Sequence, residues 1–157
     1  MPGRRPTVGV VWRANPASAS AAERSFPPAI LAGVAPAGLV NLQGGAPAGR
    51  EALAHVASHA FDPLAAGEVA LDEYAAMIAA TDLTISADTL SAHICGAMGH
   101  PAWIAVPAAP NFYWGQSGVA CPWYPGLRLF RATSREGWPG VGQAMAREPI
   151  PFQSRLA

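Results

Sequence analysis

Short β-branched apolar runs alternate along this chain with longer Ala-rich stretches of helical period, and that alternation sets the predicted elements. Thr7–Trp12 (TVGVVW) predicts a buried strand; Arg13–Ser25, small, polar and interrupted by proline, predicts a long loop. Pro27–Gly33 predicts a helix opened by proline, whose missing N–H is harmless in a first turn. Gly38–Gln43 predicts a second strand closed by Gly44–Gly45, and Ala48–Ala60 a helix. Leu71–Ala80 predicts another helix, with Asp72 and Glu73 in the first turn, where the helix dipole favours acids. Leu83–Ser86 predicts a strand, Thr89–Met98 a helix ended by Gly99, and Pro101–Val106 a strand. Leu127–Arg131 predicts the last strand and Trp138–Arg147 a closing helix. Strands and helices at this spacing predict βαβ units, hence a three-layer α/β/α, Rossmann-like domain on a mainly parallel sheet of about five strands. Pro107–Pro125 breaks the pattern: it is rich in Pro, Gly and aromatics and lacks periodicity, as functional or interface loops do.

Composition narrows the class. At 157 residues the chain predicts one domain, with 1–6 as a leader and 148–157 as a tail. Hydrophobic residues are 51% and charged ones 13%, which excludes intrinsic disorder. Ten basic residues balance ten acidic ones, so neither a nucleic-acid footprint nor a polybasic membrane anchor is expected. All the basic residues are arginines, which removes P-loop, Schiff-base and Ser-x-x-Lys chemistry, since each needs an amine. Cys95 and Cys121 are too far apart for a CxxC motif. No apolar run is long enough for a signal peptide or a membrane span, so a cytoplasmic protein is expected.

Three weaker constellations fall away. Glu51, His55 and His59 form one helical stripe, but without HExxH or a clear third ligand beyond Asp62 they read as a solvated face, and no metal or cofactor is expected. Gly115–Gly118 misses the nucleophile elbow because Val119 stands where its second glycine belongs. Of five tryptophans, Trp103 reads as core, whereas Trp114 and Trp123 in the long loop are candidates for stacking on a nucleobase.

The segment LTISADTLSAHICGAMG carries the strongest chemistry. Ligands of open α/β sheets bind outside the carboxyl ends of the strands, and here a strand delivers Asp88 and Thr89 to a helix start. Asp88 is positioned to cap that helix, while the amides of Thr89, Leu90 and Ser91 and the hydroxyls of Thr89 and Ser91 form an anion cradle. His93, one turn on, lies on the same side. The plainer alternative makes Asp88 only a cap and His93 a packed helix residue.

The longer segment SADTLSAHICGAMGHPAWIAVP resembles the Asp-Thr-x-x-x-His…Gly-Ala-x-Gly-x-Pro segment of heptosyltransferase-like glycosyltransferases. It is most similar to the glycosyltransferase-like domain that follows tetratricopeptide repeats in bacterial proteins. VGVVWRANP, RSFP, VNLQ, PWYPGLRLFR and GWPGV agree in order, so the resemblance runs from about Val8 to about Gln143. It implies the C-terminal, donor-binding half of a GT-B enzyme, taking a UDP-, GDP- or ADP-linked sugar for inverting hexosyl or heptosyl transfer. Carried over by position, Arg24 and His93 balance charge on the leaving nucleotide, and Asp88, Thr89 and Leu90 meet the diphosphate and sugar. Arg13, Gln43 and Gly44 border the nucleotide, with Trp114 retained from the family's loop. Three departures stand out. NLQGG lacks the lysine of the family's Leu-Gln-Lys-Gly, Asn111, Phe112 and Tyr113 replace Asp, Trp and Arg, and Leu90 stands where many heptosyltransferases have glycine. GT-B enzymes close two domains over the substrate, so catalysis is expected to need an acceptor-binding domain or second chain. The alternative is a non-catalytic interaction domain that keeps the fold.

Overall fold

The computed structural model describes residues 5–34, 37–44, 53, 56, 64 and 69–151. Five predicted strands form within these residues: β1 (Thr7–Val11), β2 (Gly38–Asn41), β3 (Leu83–Ser86), β4 (Ala102–Val106) and β5 (Leu127–Arg131). They make one sheet in the order β2-β1-β3-β4-β5, with every neighbouring pair parallel. The helices are α1 (Ala21–Arg24), α2 (Leu71–Ala79), α3 (Leu90–Met98) and α4 (Trp138–Ala146), with 3-10 helices at Pro28–Val34 and Phe112–Trp114.

Alternation of side chains across each strand supplies two apolar faces, one for each helical layer. Val8, Val10, Ile85, Trp103 and Phe130 pack with Leu31 and Val34 of the first 3-10 helix and with Trp138, Val141 and Met145 of α4. On the opposite face Val11, Ile104, Leu127 and Leu129 pack with Ile78 of α2 and with Ala92 and Cys95 of α3. The result is the α/β/α, Rossmann-like arrangement. Backbone meets backbone where α4 crosses the 3-10 helix: a Cβ on Gly142 would lie 2.7 Å from the Ile30 carbonyl oxygen.

Three local expectations are revised. Arg13–Ser25 is not all loop, because α1 forms in its second half. The helix expected at 27–33 is a 3-10 helix over Pro28–Val34; prolines 27 and 28 lack two of the N–H groups with which an α-turn would begin. Strands β1 and β2 end one and two residues sooner than the apolar runs that predict them. The helix expected at Ala48–Ala60, with Glu51, His55, His59 and Asp62, lies outside the described residues apart from positions 53 and 56.

Candidate functional site

The strand order reverses between β1 and β3, and in doubly wound sheets the crevice outside that switch point is where ligands bind. Two chain segments leave the carboxyl edge there. After β1 the chain loops out and returns through α1, held by Phe26 N–H donating to the Trp12 carbonyl at 2.9 Å. Ser25 Oγ accepts from Ala14 N–H at 2.9 Å and donates to the Ala21 carbonyl at 2.6 Å. After β3 the chain passes Ala87–Thr89 into α3.

Arg24, the last residue of α1, spans the two segments. Its Nη1 donates to the Asp88 carbonyl at 3.2 Å and its Nη2 to Ser18 Oγ at 2.8 Å. Its Nε is buried without a hydrogen-bond partner among the described residues. Thr89 is the N-cap of α3, in extended backbone with no side-chain cap. The first amides of α3 therefore keep their donors, and the helix dipole places about half a positive charge beside Arg24. A guanidinium and open helix amides together make a site suited to an anion. Leu90 opens α3 with its side chain 62% exposed.

Asp88 is not the cap that the sequence suggests. Only 1% exposed, it turns its carboxylate toward the β4–β5 loop, where Asn111 Nδ2 donates to Oδ2 at 2.6 Å and Tyr113 Oη to Oδ1 at 3.1 Å. Asn111 Nδ2 also donates to Tyr113 Oη at 2.7 Å. Burial, reinforced by the Asp88 charge and hydrogen bond, pushes the Tyr113 phenol up to about 12; Arg24 and Asn111 pull the other way. The cradle hydroxyls are engaged as well. Thr89 Oγ1 sits 3.0 Å from Ser86 Oγ, and buried Ser91 pairs with Tyr74 Oη at 2.8 Å. Burial raises the Tyr74 phenol to about 12.

His93 is half-buried among aromatics: stacked on Trp114 at 5.2 Å, edge-on to Tyr113 at 4.9 Å, with Nδ1 3.2 Å from Tyr124 Oη. No hydrogen bond joins it to Arg24, Asp88 or Thr89 among the described residues. Trp114 is 0% exposed and so lies beneath the surface rather than offering a stacking face. On the β2 side Gln43 Oε1 accepts from Arg13 N–H at 2.8 Å and its Nε2 donates to the Gly44 carbonyl at 3.1 Å, tying the β1 and β2 loops together. An open cleft of about 450 Å³ lies between the β1 loop and α1, lined among others by Trp12, Arg13, Ser18 and Ser25; Arg24, Asp88 and Thr89 do not line it.

The structure thus gathers Arg24, Asp88 and Thr89 at one point, sets Arg13, Gln43 and Gly44 to one side and puts His93 and Trp114 behind the β4 loop. Nothing in the sequence marks Ser18, and Asn111 and Tyr113 stand out there only as departures from the family pattern. One available signal was their position, since they follow β4 and so emerge at the same carboxyl edge. Arg131 is likewise unmarked: its guanidinium donates to the carbonyls of Trp114, Gly115 (3.0 Å), Ser117 (3.3 Å) and Gly118 (2.7 Å), folding the loop down.

No family model and no curated protein matches the chain. Solved structures do. ADP-heptose lps heptosyltransferase II of E. coli is similar at a TM-score of 0.61 and 20% identity, over 93% of this chain and 47% of that one. E. coli heptosyltransferase WaaC with ADP is similar at a TM-score of 0.57 and 16% identity, over 92% of this chain and 45% of that one. The fold is therefore that of heptosyltransferases, and the chain spans less than half the length of either.

Proposed function

We propose that the crevice between β1 and β3 binds a nucleotide-diphosphate sugar as the donor side of a glycosyl-transfer site. The observation that carries this reading is the Arg24 guanidinium on the Asp88 carbonyl, beside the uncapped start of α3. Two sources of positive potential converge on a spot where a diphosphate can accept both amide and guanidinium hydrogen bonds. Arg24 is the principal counter-charge to the leaving nucleotide, of the kind that lowers the barrier for a charged leaving group. His93 packs edge-on against Tyr113, so it would act on the site through that ring rather than by contact. Gln43, Gly44 and Arg13 border the nucleoside, and Leu90 and Thr89 line the phosphates. Inverting hexosyl or heptosyl transfer would draw its acceptor and base from a second domain or chain.

The test is calorimetric titration with UDP-, GDP- and ADP-sugars. The native chain is expected to bind at least one of them at up to millimolar concentration. Arg24→Gln is expected to weaken binding about 10- to 100-fold, the worth of about 1.5–3 kcal/mol for a charged hydrogen bond. No heat with any donor overturns the reading. It would favour the second one, a binding-silent interaction domain, for which the saturation of both Asp88 oxygens by Asn111 and Tyr113 speaks.

A further inference from the structure

We propose that Phe112 is the face on which the sugar ring of the donor stacks, an inference that rests on the donor-site reading above and extends it to the ring beyond the diphosphate. The order of strands along the carboxyl edge gives the ligand a direction. A diphosphate centred on Arg24 and Thr89 leaves two arms, one toward the loop after β2 and one toward the loop after β4. On the β2 arm the described residues include Gln43, whose amide bridges Arg13 N–H and the Gly44 carbonyl.

The β4 arm is built differently. Asn111 and Tyr113 both donate to the buried Asp88 carboxylate, so the chain is pinned on either side of Phe112. Trp114 N–H donates to the Asn111 carbonyl and Gly115 N–H to that of Phe112, each at 3.1 Å, closing the 3-10 turn between the pins. The four-carbonyl grip of Arg131 holds the residues that follow. In the middle of this restrained turn the Phe112 ring stands 80% exposed, edge-on to Tyr113 at 5.3 Å. An apolar ring held in water on a fixed backbone is preorganised for a flat apolar partner.

A pyranose supplies such a partner in its C–H face, with hydroxyls around the rim that need polar neighbours. One such neighbour is at hand: Asn111 is exposed, and its amide oxygen accepts no hydrogen bond among the described residues. A nucleobase also has a flat face, so the experiment separates the two.

Calorimetry on the native chain, Phe112→Ala and Phe112→Trp would compare UDP, GDP and ADP with UDP-glucose, GDP-mannose and ADP-glucose. Phe112→Ala is expected to bind the free diphosphates like the native chain and the matching nucleotide sugar about three- to tenfold more weakly, with Phe112→Trp restoring it. Equal losses for free nucleotide and nucleotide sugar would assign Phe112 to the base and overturn the proposal. Unchanged sugar binding by Phe112→Ala, with Arg24→Gln still weak, would overturn Phe112 alone and leave the donor site standing. Failure of the native chain to bind any of the six would overturn both.

Discussion

Asp88 takes its two hydrogen bonds from residues 23 and 25 positions further along the chain, and no periodicity could have paired them. The aspartate expected at position 111 from the family pattern would face the Asp88 oxygen that Asn111 Nδ2 now meets at 2.6 Å. Two carboxylates so close, one of them buried, repel each other strongly, so one would tend to keep its proton. Asparagine, a departure from the family pattern, is here the donor that satisfies the buried Asp88 carboxyl group. Asn111→Asp is therefore expected to lose about 2–3 kcal/mol at pH 7. That loss should shrink as the pH falls toward 5, because the folded state then holds a proton that the unfolded chain releases. Urea unfolding at the two pH values measures it, and equal losses at both would contradict the pairing.

Among the elements, β3 and β5 have the boundaries that the sequence predicts, and α3 stops where Gly99 turns left-handed at φ 64°. Strong apolar runs bounded by turn residues leave little choice there. The helix α1 was illegible because four residues of small and charged type carry no periodic apolar face. The β4–β5 loop is legible in the sequence as unusual but not as ordered, since much of its order comes from distant partners, Arg131 at the end of β5 and Asp88 after β3. That clamp makes an element-scale prediction. Lysine keeps the charge of arginine but lacks the planar fork that reaches four carbonyls, so Arg131→Lys is expected to lose about 2 kcal/mol. Its amides from Gly115 to Val119 should exchange hydrogen faster than those of β4. Native protection in that stretch would show that the loop holds itself. Trp114, a stacking candidate by sequence, is buried instead, and its carbonyl is held by the same clamp.

Over the whole molecule, opposite ionisations bound the stable range. His100 is buried where α2 meets β3 and β4, its Nε2 3.2 Å from both Thr81 Oγ1 and Thr84 Oγ1. Burial lowers its pKa below the usual 6.5, partly opposed by the charge of Asp82, so the folded state favours the neutral ring. Unfolding exposes a ring that takes a proton below pH 6.5, and stability from this group is present above that value and lost as the pH falls through it. The tyrosines act with the other sign. Tyr74 and Tyr113 hold their protons to about 12, whereas an unfolded phenol releases its own near 10, so their contribution is full below pH 10 and lost as the pH climbs toward 12. The formal net charge of zero, with an isoelectric point near 6.9, adds a solubility minimum close to neutrality. These effects leave about pH 8.5 as the condition in which the chain is both soluble and free of either loss. Scanning calorimetry should show a melting temperature that falls below pH 6.5 and again above about pH 9, where the buried Cys95 thiol, raised from 9.0 to about 11, and then the two phenols cost stability. His100→Gln, which keeps polar atoms near Thr81 and Thr84 but cannot take the proton, is expected to flatten the fall between pH 7 and 5.5 while leaving the alkaline limb unchanged. An acid limb that survives this substitution would move the proton uptake to another group.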